Sequence, residues 1–384
     1  MEKNQRTSIL KLTKDLDNKV LFSYGRNAIY SICKSLKIKK GDEILTPALD
    51  CDSTLTPFIV HNASLVFYKS NPYTFNIDLH DLEKKITEKT KLIHIINHFG
   101  FFQPWNKIEK IKTNYGVPIV EDNAFSFFST YNGKSFGTFG DFSVFSLYKI
   151  FNILNGGLLV KNNDSIELCP PSDNYKWIHK PELNSFYKSI LSSILPNKVK
   201  SILKKEKKFL PPMFSDKSGY PRIENRDKVL FEFSYDYLRP ISNFSRFQLK
   251  KIDNMNFDSF INDSRLYYLF IVKKLKGIKG LRILHPKIDK EVVPFCVLIL
   301  IEKKRDIIVQ KLLNEGFSLM AWPNFSKHSL DKTDVFKEVE IIGKKIIQIN
   351  INSILMKKIN HHNYFKVLIK RLSDLIIKKN DYFN

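Results

Sequence analysis

Val117-Pro-Ile-Val-Glu-Asp122 and Phe142-Ser-Val-Phe-Ser146-Leu-Tyr-Lys149 decide how this chain is read. Each is an apolar run that ends in a charge, and each predicts a buried strand that delivers a charged group at its C-terminal end. A lone Asp or Lys is expensive to bury, because the group either loses its hydration or shifts its pKa. Asp122 and Lys149 stand 27 residues apart, and both need something that neutralises them.

The flanking sequence supplies the rest of a sheet. Glu43-Ile-Leu-Thr46, Ser64-Leu-Val-Phe-Tyr68, Lys91-Leu-Ile-His-Ile-Ile96 and Gly157-Leu-Leu-Val160 read as further strands. Helix-like stretches separate them, including Leu82 to Ile86 and Trp105 to Tyr115. Strand and helix in alternation predict an α/β fold, a three-layer α/β/α domain around a mostly parallel sheet. Ligands of such sheets sit beyond the carboxyl ends of the strands, where Asp122 and Lys149 are placed. Pyridoxal 5'-phosphate (PLP) answers both charges: its ring nitrogen takes a carboxylate and its aldehyde takes a lysine amine.

With 384 residues, 43% of them hydrophobic, the chain has enough apolar material for a large core and more than one domain. Its 31 Phe and 16 Tyr argue against disorder. The formal charge of +23 attracts phosphates, nucleotides, nucleic acid or anionic lipid, and also fits a general bias towards lysine. The lysines are spread along the chain, and no RNA- or DNA-binding motif accompanies them, so no nucleic-acid partner is expected. Cys33, Cys51, Cys169 and Cys296 form no CxxC pair and no zinc spacing, which points to free thiols in a reducing compartment and to no metal. Met1 to Arg6 lacks the apolar stretch of a signal peptide, and Val292 to Ile301 is too short to cross a bilayer. A cytoplasmic protein is expected.

The large PLP-binding domain is expected to occupy residues 1–235 and a smaller α+β domain residues 236–384. Residues 165–230 form a Pro-flanked basic insertion. Within it, Phe186 to Lys208 carries Lys188, Lys198, Lys200, Lys204, Lys205, Lys207 and Lys208 against Glu206 alone, interleaved with Ile and Leu. This reads as a basic amphipathic helix pair on an anionic membrane surface, or as helices packed on their own protein. Beyond it, Asn243 to Lys276 and Tyr364 to Lys378 have helical patterns, as does Arg305 to Asn314. Val292 to Ile301 and Ile346 to Ile351 read as strands.

Four segments, in order, resemble the DegT/DnrJ-type sugar aminotransferases, PLP enzymes of the aspartate-aminotransferase fold (type I). They are Lys40-Gly-Asp-Glu-Ile-Leu-Thr-Pro47, Asn76-Ile-Asp78, Glu121-Asp122, and Tyr131-Asn-Gly-Lys-Ser-Phe-Gly-Thr-Phe-Gly-Asp141 running into Ser146 and Lys149. The resemblance implies that Lys149 bonds to the cofactor's aldehyde and moves the reaction's proton, for which it must be neutral. The plain alternative is a surface lysine. Asp122 is implied to pair with the pyridine nitrogen, where a helix N-cap is its alternative. Tyr24-Gly25-Arg26-Asn27-Ala28 resembles the family's phosphate turn, with Gly25 allowing close approach and Arg26 and Asn27 offering N–H groups. Ser146 matches the serine that donates to the phosphate. His98, in a segment resembling the end of a central strand, and Tyr148 are candidate substrate contacts, with a satisfied structural role as the alternative for His98.

The chain departs from the family pattern in places. Cys51 stands where an aromatic ring usually covers the cofactor, and Phe125 where a Gln or His usually lies near its hydroxyl. Lys149 follows Ser146 by three positions, as in a shorter subgroup, and the asparagine that reaches the partner's phosphate has no clear match near Leu238 to Asn243. The expected function is transfer of an amino group from an amino acid, glutamate by resemblance, to a nucleotide-linked keto-sugar for polysaccharide or glycolipid synthesis, by a homodimer. A sugar dehydratase of the same fold is the first alternative, and Lys149 argues against it, because those enzymes carry histidine there. A relative with altered or lost chemistry, or a basic membrane-surface protein, are the others.

Overall fold

The computed structural model describes residues 18–151, 153–179, 182–183, 236–252, 257–321, 336–351 and 361–377. The basic stretch Phe186 to Lys208 lies outside the described residues.

The first part of the chain builds a seven-stranded sheet. Its elements are β1 (Lys19–Phe22), α1 (Gly25–Ser35), β2 (Glu43–Pro47), α2 (Asp52–Val60), β3 (Ser64–Tyr68), α3 (Leu79–Lys84), β4 (Thr90–Ile96), α4 (Trp105–Tyr115), β5 (Ile119–Asp122), a hairpin of β6 (Thr130–Tyr131) and β7 (Lys134–Ser135), β8 (Phe142–Ser146), α5 (Leu147–Ile150) and β9 (Gly157–Lys161). The strand order is β1-β9-β8-β5-β4-β2-β3. From β8 to β3 every pairing is parallel, and β9 runs against both its neighbours.

The alternation read from the sequence appears as two cores. Ile44, Leu92, Val120, Phe142 and Val144 pack with Ala28, Ile29 and Ile32 of α1. Leu45, Ile93, Ile95 and Ile119 pack with Trp105, Ile108 and Ile111 of α4. The sheet is therefore covered on both faces, as its nearly continuous apolar strands require. Asp78 caps α3, its carboxylate accepting from Asp81 N at 3.1 Å. Gly116 ends α4 with φ +64°, a conformation that favours glycine.

The second part carries α6 (Asn243–Ile252), α7 (Phe257–Leu275), β10 (Leu281–Ile283), β11 (Cys296–Ile301), α8 (Arg305–Asn314), β12 (Leu319–Ala321), α9 (Lys337–Gly343), β13 (Ile346–Asn350) and α10 (His361–Ile377). Its four strands form an antiparallel sheet, β10-β11-β13-β12. α6 belongs to the large sheet: Leu249 and Ile252 share a core with Leu21, Phe145 and Leu158. The small sheet docks through the segment before β11. Glu291 accepts from Thr130, Asn132 and Gly133 of the hairpin turn. Phe295 N donates to Phe99 O at 2.9 Å. Gly100 (φ +94°) is pressed so close that a Cβ there would meet Val293 O at 2.2 Å.

Candidate active site

Register decides which polar groups meet. β2 sets Leu45 beside Ile93, so Thr46 adjoins His94. β4 sets His94 beside Val120 and Ile96 beside Asp122. β5 sets Asp122 beside Val144, two residues before Ser146. Side chains alternate along a strand, so Thr46, His94, Asp122 and Ser146 share the face that α1 covers. Glu121 falls on the opposite face, where it accepts from Gly137 N, Phe139 N, Ser143 Oγ and Asn97 Nδ2 at 2.9–3.1 Å. The acidic pair thus divides into one carboxylate that holds a loop and one that faces the site.

Asp122 is buried, with Oδ2 3.3 Å from His94 Nε2 and Oδ1 accepting from Ala124 N at 2.8 Å. Burial alone raises its pKa, but the His94 contact, the Ala124 amide and the charge of Lys149 more than offset this and hold it below the usual carboxylate range. The alternative N-cap role is absent, since no helix follows Asp122 before the hairpin.

Lys149 is not a strand residue as its apolar run predicts. β8 ends at Ser146, and Lys149 lies in the single helical turn α5. Its Nζ sits 3.9 Å from the ring centroid of Phe125. Phe99 and Phe295 brace that ring, each 5.1 Å away. Among the described residues no carboxylate lies within 4 Å of the Lys149 ammonium. The strand read from Val117 likewise begins only at Ile119, behind Pro118.

The start of α1 closes on the end of β8. A Cβ on Gly25 would stand 2.9 Å from Ser146 Oγ and 3.3 Å from Val144 Cγ1. The first turn of an eleven-residue helix and a hydroxyl therefore converge, the arrangement that binds anions. Asn27 departs from its expected role: its N–H donates to Tyr24 O at 3.0 Å, and its Nδ2 donates to Tyr237 O at 2.9 Å. Gly25 and Arg26 open the same turn. Arg26 Cζ lies 4.7 Å over the Tyr24 ring, and Arg239 Cζ 5.6 Å from the same ring. Tyr24 donates to Glu182 Oε1 at 2.7 Å and meets Tyr148 edge-on at 5.4 Å.

Cys51 is the residue before α2, its Sγ 3.1 Å from Ser53 Oγ. His98 is buried beside the Phe75 ring at 5.3 Å. Burial pushes its pKa down to about 3, with His94 and His285 adding to the shift and Asp122 opposing it. It is a neutral imidazole at ordinary pH. Sequence reading missed Thr46, His94, Asp50, Arg239 and Glu182, and took Tyr24 only as the first residue of the phosphate turn. His94 left a signal, a histidine within an otherwise apolar strand.

These residues fit PLP. A glycine cradle faces a serine hydroxyl, and a buried carboxylate stays anionic on the same face. A lysine with no carboxylate partner stands within electrostatic reach of it. Asp122 would hold the ring nitrogen, Ser146 and the first turn of α1 the phosphate, and Lys149 the aldehyde.

The large sheet with its reversed β9 and the small antiparallel sheet together make up the α/β fold expected from the sequence. Residues 17–168 match the model of the DegT/DnrJ/EryC1/StrS aminotransferase family. Among curated relatives it is 33% identical over 110 residues to a UDP-2-acetamido-2-deoxy-3-oxo-D-glucuronate aminotransferase of Pseudomonas aeruginosa, covering 29% of this chain and 31% of that protein. It is 37% identical over 105 residues to a GDP-4-keto-6-deoxy-D-mannose 3-dehydratase of Yersinia pseudotuberculosis, covering 27% of each. The matched stretch thus spans about a third of the length of these curated relatives. In three dimensions the chain is similar to an aminotransferase from Streptoalloteichus hindustanus, with TM-score 0.64, 17% identity and coverage of 97% and 91%. It is also similar to a GDP-4-keto-6-deoxymannose-3-dehydratase mutant with bound GDP-perosamine, with TM-score 0.62, 22% identity and 97% coverage of both chains. The fold expectation is met. No described helix is long and apolar enough to cross a membrane.

Proposed function

We propose that this protein is a PLP-dependent aminotransferase that moves an amino group from an amino acid, glutamate, to the carbonyl of a nucleotide-linked keto-sugar. The observation that carries the reading is the placement of Asp122, Lys149 and the Gly25–Ser146 cradle around one end of the parallel sheet. Several relatives named for nucleotide-sugar chemistry support the substrate class.

When bound, PLP supplies an aldehyde for the amine and a ring that takes up electrons from the substrate carbon. Lys149 Nζ would hold the aldehyde and would take and return the proton of the reacting carbon. Its placement over Phe125 fixes where that proton is carried. Asp122, kept anionic by His94 and the Ala124 amide, orients the ring nitrogen. Ser146 Oγ and the first-turn amides of α1 anchor the phosphate, and Arg26 adds positive charge beside them. The charge of +23 favours a diphosphate substrate. A homodimer, a cytoplasmic site of action and peripheral attachment through Phe186 to Lys208 complete the proposal, with the product feeding polysaccharide or glycolipid synthesis.

The test is direct. Purified protein reconstituted with PLP should show a visible absorbance band, and borohydride should fix the cofactor's mass on the peptide containing Lys149. Adding glutamate and then a panel of nucleotide keto-sugars should bleach and restore the band. A colourless protein that cannot be reconstituted would reject the reading.

The similarity to GDP-sugar dehydratases specifies a second reading, removal of a hydroxyl from a nucleotide sugar. Lys149 stands against it, since the resemblance places histidine there in dehydratases. Product analysis with a GDP-linked keto-sugar separates the two.

A further inference from the structure

We propose that Asp50, Thr46 and His94 form a buried proton relay that fixes the charge and orientation of Asp122, making them positioning residues for the cofactor's ring nitrogen. The inference rests on the reading of this pocket as a PLP site.

Four side chains are joined through the His94 ring, Asp122 on its Nε2 side and Thr46 and Asp50 on its Nδ1 side. Asp122 Oδ2 is 3.3 Å from His94 Nε2. His94 Nδ1 is 2.9 Å from Thr46 Oγ1 and 3.4 Å from Asp50 Oδ2. Thr46 Oγ1 is 3.4 Å from Asp50 Oδ2. Thr46 and His94 are wholly buried, and Asp50 and Asp122 are nearly so. The His94 ring is held from the side by Phe58, 5.6 Å between centroids. Two carboxylates around one imidazole, out of water, are tolerable only if every donor finds an acceptor.

Two arrangements satisfy every donor with the same number of protons. In one, His94 donates through Nε2 to Asp122 and through Nδ1 to Thr46, and Thr46 donates to Asp50. In the other, a protonated Asp50 donates to Thr46, Thr46 donates to His94 Nδ1, and Nε2–H still serves Asp122. They differ only by a shift of two protons along the relay, one from Asp50 to Thr46 Oγ1 and one from Thr46 Oγ1 to Nδ1. No proton enters or leaves. In both, Asp122 keeps its donor and its negative charge, which is what a ring nitrogen that must stay protonated requires.

The surroundings agree. Burial pushes the Asp50 carboxyl up to about 7, with Asp122 adding to the shift and His94 opposing it; the amide of Cys51 and the hydroxyl of Thr54 oppose it too. The other titratable groups facing the relay are His98 from the turn after β4 and Lys149 from α5. Tyr68 on β3 donates to His94 O at 2.7 Å and holds the strand. The relay links the site to the start of α2, whose preceding amide, Cys51 N, donates to Asp50 Oδ1 at 2.7 Å.

Thr46→Val is the decisive variant, since it removes the bridging hydroxyl at nearly constant volume, and Thr46→Ser is the rescue. In apoprotein labelled with ¹⁵N at histidine, the Nδ1 shift of His94 should lie between the values of a protonated and a bare nitrogen. Thr46→Val should drive it to one extreme and Thr46→Ser should restore it. A wild-type shift already at an extreme, unmoved by Thr46→Val, overturns the relay. PLP titrated into full-length protein should bind about tenfold more weakly to Thr46→Val, a change of one pK-unit equivalent, and normally to Thr46→Ser. In an Asp122→Asn background Thr46→Val should add nothing. Equal losses in both backgrounds would show a structural effect and reject the proposal. If wild-type protein binds no PLP, the function proposed above fails, while the nitrogen shifts still decide the relay.

Discussion

Lys149 Nζ stands 3.9 Å above the centre of the Phe125 ring, in a position where its relatives by resemblance place a polar residue near the cofactor. The ring face attracts the ammonium by about 0.5–1 kcal/mol or more when desolvated. A reagent that takes the amine must first draw it off the ring. Phe125→Leu keeps the apolar volume between Phe99 and Phe295 and removes that attraction. In the apoprotein at neutral pH, acylation of Lys149 by an amine reagent should speed up by about two- to fivefold, the equivalent of that energy. Peptide mass mapping over time reads the rate, and an unchanged rate would show that the ring contact carries no weight.

Gly25 is the point where α1 and β8 touch. An added methyl group meets Ser146 Oγ at 2.9 Å, with Val144 Cγ1 behind it at 3.3 Å. The hydroxyl must rotate away, and the cost of such overpacking is about 1–3 kcal/mol. Gly25→Ala should lower the melting temperature and weaken PLP binding together. Adding Ser146→Ala should recover stability, because the obstructing oxygen is gone, and leave PLP binding weak. Recovery of both would mean that the hydroxyl has no part in holding the phosphate.

Asp122 was legible as a buried carboxylate because it closes an apolar run, where burying a charge demands a partner. Arg305–Asn314 was legible to the residue from its helical spacing. The end of β8 was not. Nothing in Phe-Ser-Leu-Tyr-Lys announces that the chain coils after Ser146, since Leu and Tyr suit either state. The relay was hidden for another reason. Thr46 and His94 are neighbours because β2 pairs directly with β4 while β3, which follows β2 in the chain, takes the sheet edge, and that order is a property of the whole sheet. The same holds for Arg239 and Glu182, which approach Tyr24 from far along the chain.

Two buried histidines make the fold less stable in acid. His285 stacks on Phe101 with centroids 3.8 Å apart, and burial pushes its pKa down to about 4. His98 is pushed down to about 3, by burial first. Unfolded histidine titrates near 6.5, so below that pH the unfolded chain binds protons that the folded chain refuses. Stability from each is complete above about 6.5 and is lost as pH falls towards the folded value, by up to about 1.4 kcal/mol per pH unit per proton. Urea melts of His285→Leu at pH 7, 6 and 5 should show a shallower decline than wild type. Parallel curves would mean that His285 takes up its proton equally readily in the folded and unfolded chain.

The segment Phe186 to Lys208 places seven lysines against one acid. Near an anionic surface each basic residue contributes about 1 kcal/mol, and salt weakens the sum. Full-length protein should co-sediment with phosphatidylserine vesicles at low salt and leave them as salt rises. Deleting 186–208 should abolish sedimentation and keep PLP binding. Vesicle binding that survives the deletion would move the attachment elsewhere.

Glu121 holds the loop that leads into β8. Its Oε1 accepts from Gly137 N at 2.9 Å and Asn97 Nδ2 at 3.1 Å, and its Oε2 accepts from Phe139 N at 3.0 Å and Ser143 Oγ at 2.9 Å. Burial raises its pKa, and these donors only partly oppose the rise. A raised carboxyl favours the folded state most when protonated, so its contribution falls as pH climbs through the folded value. Glu121→Gln replaces one acceptor oxygen by an NH₂ group that faces two donors. Each donor left without an acceptor costs about 1–3 kcal/mol, about 2–6 kcal/mol together. Denaturant melts should show that loss. Because the loop carries β8 and Ser146, PLP affinity should fall with it even though Glu121 lies on the far face of the sheet. A destabilised variant with unchanged affinity would show that the phosphate cradle is set by α1 alone.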